Sequence, residues 1–488
     1  MPPSNTLTRS LFLRALGLVF LCAFASLSVQ VDGLIGSHGI RPAAQLFVLA
    51  REQVRFSDLP SLLWLGASDG ALHALCWSGA LLSVLLVAGL APRAVLLLLW
   101  ALYLSALNAA DVFLQFQWDV LLVETAVLAA LYAPGTLRLG GDSPQPEHRG
   151  ALWLLRLLLF RVMFSSGLVK LASGDPAWRD LTAMRYHYWT QPLPTPLSAP
   201  AHFVPDAVHA VETGAVLFIE LVLPFLVFAP RRLRLLAFVP LAGLQVLILA
   251  TGNYGFFNLL ALALCLTLLD DALLLRLFPR LRQAPPASST RGWHRGVAAL
   301  PVAAFLLLGL SELAVRVGAG ALLPEPALLG LDRARRYGLV GSYGLFAVMT
   351  KSRPEILLEG SADGATWQPY VFRYKPGPPE VPPQFIPGHL PRLDWMMWFA
   401  ALGDCESSPW LLSLQEELLR GGSGAAALFA RDPFAHGAPR YLRTTTWQYR
   451  FSTPREREAG APFWTRSEEG PYCPPLTWVD GELRRAPL

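Results

Sequence analysis

Charged residues are scarce in this sequence. They make up 15% of the chain against 53% hydrophobic residues, whereas a soluble domain carries about 25% charge. The shortage falls on residues 1–320, where runs of Leu, Ala and Val approach the roughly 20 residues that cross a bilayer core. A single soluble domain is thereby excluded. Cysteine is sparse as well: Cys22, Cys76, Cys265, Cys405 and Cys473 show neither CxxC nor metal-ligand spacing, which argues against a dithiol centre or a metal cluster. Cys22, Cys76 and Cys265 lie in apolar segments and read as small buried residues. Cys405 and Cys473 fall in a polar stretch and can pair if that stretch is exoplasmic.

Signatures of catalysis and of nucleic-acid binding are missing too. The formal charge is +5, but the arginines flank apolar segments and form no basic stripe interleaved with stacking aromatics, so no nucleic-acid partner is expected. There is no GxSxG elbow. His389 and Asp394 have an HxxxxD spacing interrupted by Pro391, and a GDS stands at 141–143; both read as coincidences of short motifs. His73, His202 and His209 are isolated, and neither a metal nor a cofactor is expected.

What is present is a series of apolar segments, near residues 11–30, 71–90, 94–112, 119–134, 151–171, 207–229, 233–250, 254–269 and 297–317. The expected fold is a polytopic α-helical membrane bundle of about nine spans over 1–317, then a β-rich exoplasmic domain with helical insertions over 318–488. Lys and Arg stay preferentially cytoplasmic. With the N-terminus inside, that side receives Arg9, Arg14, Arg93, Arg138, Arg149, Arg231, Arg232, Arg234, Arg276, Arg280, Arg282, Arg291 and Arg295. The opposite side receives only Arg41, Arg51, Arg55, Arg179 and Arg185 before the C-terminal domain. This puts the N-terminus in the cytoplasm and the C-terminal domain outside it. Ala23-Phe24-Ala25 resembles a signal-peptidase site, but apolar residues continue to Val31 and an uncleaved span is expected.

The same topology gathers the unusual polar loops on the exoplasmic face: 36–43, 111–119, 172–206 and 251–258. Gln117, Trp118 and Asp119 open a span there, with Asp119 suited to capping the helix and Trp118 to an interfacial belt. They are also candidates for an exoplasmic pocket or client contact together with Tyr186, His187, Tyr188, Asn253, Tyr254 and Trp395. His187 is placed to titrate near neutral pH. Ionisable residues inside a membrane are costly and default to functional hypotheses. A candidate intramembrane polar network therefore comprises Glu124, Arg161, Lys170 and Asn258. Pairing of Glu124 with Arg161 or Lys170 is the structural alternative, and Lys170 is also placed to snorkel.

In the C-terminal part, 355–377 reads as two strands turning at Asp363-Gly364. Residues 444–452 alternate Trp447, Tyr449 and Phe451 with polar residues, the pattern of a half-buried strand. LDWMMWFAALG and SSPWLLSLQEELLR read as helices.

Several ordered blocks resemble the lipase maturation factor family: GLIGSHGIRP (33–42), FLQFQWDVLLVE (113–124), RVMFSSGLVKL (161–171), LTAMRYHYWTQPLPTPL (181–197), TGNYGFFNLL (251–260), SYGLFAVMTKSRPEI (342–356), PRLDWMMWFAAL (391–402), DPFAHGAPRYLR (432–443) and GPYCPPL (470–476). The resemblance implies a chaperone-like membrane protein that assists folding or assembly of a secreted client, possibly a lipase, in contact with membrane lipid. Eukaryotic relatives would sit in the endoplasmic reticulum membrane. The Ala/Leu/Arg-rich composition here suggests a bacterial inner membrane. The alternative is a membrane-embedded enzyme acting on a lipid, quinone or secreted polypeptide, with an architecture remotely similar to vitamin K-dependent carboxylase membrane domains. The topology is directly testable: alkaline phosphatase fused after residue 325 is expected to be active, and the same enzyme fused near residue 145 inactive.

Overall fold

In the computed structural model, nine helical segments answer to the nine apolar runs. The structure describes residues 5–139, 148–280 and 292–487; the GDS at 141–143, Arg282 and Arg291 lie outside them. The segments are α1 (Thr6–Ser28), α2 (Asp69–Ala88), α3 (Pro92–Ala109), α4 (Gln117–Tyr132), α5 (Arg149–Ala172), α6 (Asp206–Leu221), α7 (Arg231–Thr251), α8 (Phe257–Cys265) and α9 (Gly292–Arg316). Among the described residues, seven helices are long and apolar enough to cross a membrane, or eight if the bent pair 257–277 is one span. The remaining segment, α4, has 16 residues. In hydrocarbon every backbone amide must find its partner within the segment, which favours helices for such runs. Local signals set their ends. Ser68 accepts a hydrogen bond from the Ala71 amide at the start of α2, Gly89 closes it at φ 81°, and Pro92 stands in the first turn of α3.

α1 and α2 pack closely because small residues face large ones. A Cβ added to Gly79 would stand 2.4 Å from the Phe24 ring, and one added to Gly17 would stand 2.9 Å from Val87. This is the small-residue contact typical of membrane helix pairs.

The bundle has two distinct ends. At one, Thr8 donates to Asp271 at 3.0 and 3.1 Å, Arg231 pairs with Asp270 at 2.6 Å, and Leu90 bridges Arg138. At the other, which we term the loop end, the connections after α1, α3, α5 and α7 converge on the C-terminal part. Pro194 bridges Gly252, Phe113 meets Trp410 edge-on at 6.2 Å, and Gly33 abuts Leu428 and Gly424.

The C-terminal part contains one antiparallel sheet of β1 (Pro354–Ser361), β2 (Gln368–Pro369), β3 (Tyr441–Phe451), β4 (Trp464–Val479) and β5 (Glu482–Arg485), in the order β2-β1-β3-β4-β5. Along β3, Tyr449 and Phe451 are buried while Arg450 is exposed, as alternation predicts. The inserted helices are α10 (Arg392–Ala401) and α11 (Pro409–Leu419). A disulfide joins Cys405, between those helices, to Cys473 on β4. One hydrophobic core runs without a break from Phe12 and Leu16 in the bundle to Ile356, Trp410 and Leu442 in the sheet domain. Replacing Gly79 by Val is expected to lower stability by about 1–3 kcal/mol through overpacking against Phe24, read as a lower unfolding temperature in detergent.

Candidate functional site

Most of the polar residues singled out in the sequence meet at the seam between the loop end and the C-terminal part. Asp119, fully buried in the first turn of α4, accepts two hydrogen bonds from Arg392 at 2.6 and 2.7 Å and one from the Tyr103 hydroxyl at 2.6 Å. It does not cap its helix. Arg392 also donates to the Phe113 carbonyl at 3.0 Å and lies 5.6 Å from the Phe116 ring centre. Two buried charges therefore lock α10 to the bundle.

A second lock surrounds Glu124. Arg161 donates to one carboxylate oxygen at 2.6 Å, while the other accepts from the Gly341 amide at 2.7 Å and the Tyr343 hydroxyl at 2.5 Å. Arg161 reaches on to the Gly341 carbonyl at 2.5 Å. The chain approaches this closely because residue 341 has no side chain: an added Cβ would stand 2.6 Å from the Tyr343 hydroxyl. Lys170 is buried rather than snorkelling. It pairs with Glu220 at 2.7 Å, donates to the Leu345 carbonyl at 3.1 Å and sits 5.1 Å from the Trp178 ring centre. Asn258 belongs to neither set; its amide donates to Gln245 at 2.9 Å. The expected single network is thus three separate contacts.

Uncharged groups extend the seam. Gln117 accepts from the Gly344 amide at 2.9 Å. Asn253 accepts from the Ile386 amide at 2.9 Å and donates to the Gln384 carbonyl at 2.7 Å. Arg353 donates to the carbonyls of Trp189, Gln191 and Pro192 at 2.8, 2.5 and 2.8 Å and pairs with Glu355 at 2.9 Å, as Lys375 does. It holds the 189–192 loop against the sheet domain.

The aromatic candidates form a packed chain. Trp118 and Trp395 meet edge-on at 4.9 Å, Tyr254 touches Trp395 at 5.5 Å, and Phe346 joins Tyr254 at 5.9 Å to His187 at 5.0 Å. Tyr254 also donates to Gln191 at 3.0 Å. The indole N–H groups of Trp118 and Trp395 are buried with no acceptor among the described residues. Tyr186 packs instead with Ala177, Trp178 and Met349, and Tyr188 lies 5.9 Å from His209. Burial and then Glu212 raise the Tyr188 hydroxyl above its ordinary pKa, so it stays protonated. Two concavities, of about 760 and 220 Å³, lie along the C-terminal domain, and none of the expected pocket residues lines either one.

Burial, aided by Lys170, pushes the His187 pKa down to about 4. His202 and His389 are likewise held at about 4, by burial first and then by His209 for the former and by Arg392 and Arg373 for the latter. All three are neutral at pH 7, which leaves His187 without the proton a general acid would donate there. His389 instead lies 3.0 Å from the Ser26 hydroxyl, and Asp394 accepts from the amides of Tyr374 and Lys375 at 2.8 Å each. The HxxxxD spacing is structural. No group of three metal-ligating side chains occurs among the described residues.

The partners that sequence reasoning missed are Arg392, Arg353, Glu355, Lys375, Tyr103 and Gln191. Arg392, Arg353, Lys375 and Glu355 are charged residues in a stretch that reads as water-soluble domain, Tyr103 reads as an ordinary apolar-helix residue and Gln191 as a loop residue, so nothing in the sequence marks them as buried partners.

A helical membrane bundle carrying a sheet domain on one end, joined to it through the buried Asp119–Arg392 pair and further hydrogen bonds, defines an integral membrane protein. The chain belongs to the lipase maturation factor family. The family's transmembrane domain model matches residues 7–276 and its C-terminal domain model residues 339–474. Lipase maturation factor 2 of Homo sapiens is 37% identical, with 98% of this chain and 84% of the relative covered. Lipase maturation factor 1 is 34% identical in Bos taurus, covering 97% and 90%, and 34% identical in Homo sapiens, covering 96% and 88%. No solved structure matches.

Two predictions follow from the seam. Arg392→Met alone leaves Asp119 buried without its cation and is expected to cost about 3–5 kcal/mol, while Asp119→Leu with Arg392→Met recovers most of that; thermal unfolding in detergent distinguishes them. The histidines set a pH dependence. In the unfolded chain they take up protons near pH 6.5, but in the folded protein only near 4. Stability is therefore expected to fall as pH drops from 6.5 towards 4, measured as unfolding temperature against pH and reduced in slope by His187→Gln.

Proposed function

We propose that this protein is a membrane-anchored, chaperone-like maturation factor that assists folding or assembly of secreted clients, lipases foremost, on the exoplasmic side. Residues 1–317 act as the anchor and supply the loops, and residues 318–488 handle the client. The N-terminus lies in the cytoplasm, the C-terminal domain outside it, and the membrane is a bacterial inner membrane. Membrane lipid is the second partner. The relatives' names support the lipase role. The observation that carries the reading is the fixed attachment of the sheet domain to the loop end, which holds the loops and the domain as one presenting surface.

Asn253 and Gln117 shape that surface by holding backbone of the C-terminal part in place. Trp118, Tyr254 and Trp395 support it from below, and Tyr186, His187 and Tyr188 brace the 176–205 loop. In this reading Glu124, Arg161, Lys170 and Asn258 hold the bundle and its domain together. The enzyme alternative asks for a reactive base in the membrane, and Lys170, bonded to Glu220 and two carbonyls, is poorly placed to be one.

The test is the specific activity of secreted lipases, per amount of lipase protein, with and without this chain. Loss at equal lipase abundance, restored by re-expression, is expected. Unchanged activity would remove lipases as clients. Deleting 318–488 is a poor variant for this purpose, because it strips Asp119, Glu124 and Lys170 of buried partners. Surface substitutions are the cleaner probe.

A further inference from the structure

The larger concavity is an open groove where the 198–203 turn of the bundle meets the segment 454–463 of the sheet domain. Its volume of about 760 Å³ falls within the roughly 300–1,000 Å³ of ligand sites. Its apolar surface comes from Ala199, Phe203 and Phe463, and from four prolines at 200, 382, 454 and 462. Proline has no amide N–H and a fixed φ, so these walls are stiff and offer an extended chain few competing donors. Phe203 is 37% exposed at the rim.

Three charged side chains line the groove, the carboxylates of Glu380 and Glu458 and the guanidinium of Arg457. Glu380 and Glu458 line the groove, are exposed, and have no ion-pair partner among the described residues. The nearby carboxylate Glu456 is occupied, by Arg450 at 2.7 Å and by the Thr453 amide at 2.7 Å. Arg457 lies 5.1 Å from the Phe463 ring centre, which places its cation on the aromatic wall. Two open carboxylates beside aromatic and proline walls suit an extended apolar chain bearing Arg or Lys.

The two sides of the groove come from different parts of the fold, yet they are held in register. Arg353 binds the 189–192 carbonyls on the bundle side and lies 5.3 Å from the Trp464 ring centre on the domain side. Trp464 in turn ties down the 379–381 segment, through its amide to the Pro379 carbonyl at 3.0 Å and its indole to the Val381 carbonyl at 3.2 Å. A preformed groove spares the ordering cost that otherwise erodes affinity.

We propose that this groove binds an extended, apolar, cationic segment of an incompletely folded client polypeptide. The proposal rests on the maturation reading above and names the site and the sequence chemistry through which it operates. Anionic lipid is disfavoured by the same two carboxylates.

The experiment uses the full chain in nanodiscs of neutral lipid and short fluorescent peptides of alternating Leu and Phe, carrying either two Arg or two Glu. Fluorescence anisotropy is expected to show the basic peptide binding about tenfold more tightly. Glu380→Lys with Glu458→Lys should reverse that order. Phe203→Ser, which removes apolar wall without adding charge, and Ala461→Arg, both at solvent-accessible positions, should each weaken the basic peptide about fivefold or more without changing the unfolding temperature. Equal binding of both peptides, or variants that bind like the parent, would overturn the proposal. Displacement of the peptide by oleate with direct oleate binding would overturn it in favour of a lipid site.

Lipase specific activity is measured in the same variants. Loss of both peptide binding and lipase activation supports the groove as the client site. Loss of peptide binding with full activation overturns that role while leaving the maturation reading intact. A lipase unaffected by removal of the whole chain overturns the maturation reading, and peptide binding in the groove would stand apart from it.

Discussion

Carboxylates and cations withdrawn from water must find partners, and at the loop end of this bundle the partners come from far along the chain. Asp119 meets Arg392 across 273 residues, and Glu124 meets the Gly341 amide across 217. An isolated buried charge costs several kcal/mol, even after relaxation. Asp119 therefore demands that Arg392 dock in one place, and Glu124, already paired with Arg161, adds the Gly341 amide and the Tyr343 hydroxyl of the C-terminal part to its partners. Hydrophobic contact alone would hold the two together less selectively, because apolar surfaces slide where bidentate charge pairs do not.

That constraint carries over to the surface. The aromatic chain from Trp118 through Trp395 and Tyr254 to Phe346 and His187 reaches the Asp119–Arg392 pair through Phe116, which stacks on Trp118 at 4.9 Å and lies 5.6 Å from the Arg392 guanidinium. Arg353 extends the same logic to the rim, where it fixes the bundle loop and the sheet domain as opposite walls of one groove. Under the proposed maturation role such stiffness favours binding, since only the client then loses conformational freedom.

Several features were legible because they depend on local periodicity. The membrane spans followed from apolar run length, β1 and β3 from alternation and the Asp363-Gly364 turn, and α10 and α11 from their helical patterns. The cost of charge in hydrocarbon marked Glu124 for pairing with Arg161 or Lys170, and the structure selects Arg161. Less was legible where one residue had two sensible uses. Asp119 at a helix start reads as a cap, and Lys170 near a span end reads as a snorkelling side chain. Both are instead buried against partners that sequence distance conceals. Trp395 shows the same limit: its indole packs beneath the surface among other rings, and nothing in its neighbours separates a core tryptophan from an exposed one.

The sequence by itself determined the class of protein, the number and order of apolar segments, and the side to which the arginines bias each connection. These follow from transfer free energies that act residue by residue and sum along a segment. Tertiary structure alone decided which acid meets which base, that the domain begun after α9 is bolted back onto the bundle, and that the open groove lies at 199–203 and 454–463 rather than around Tyr186 and Trp118. Those outcomes depend on long-range pairing, where many partners are chemically equivalent in sequence and only packing geometry selects one.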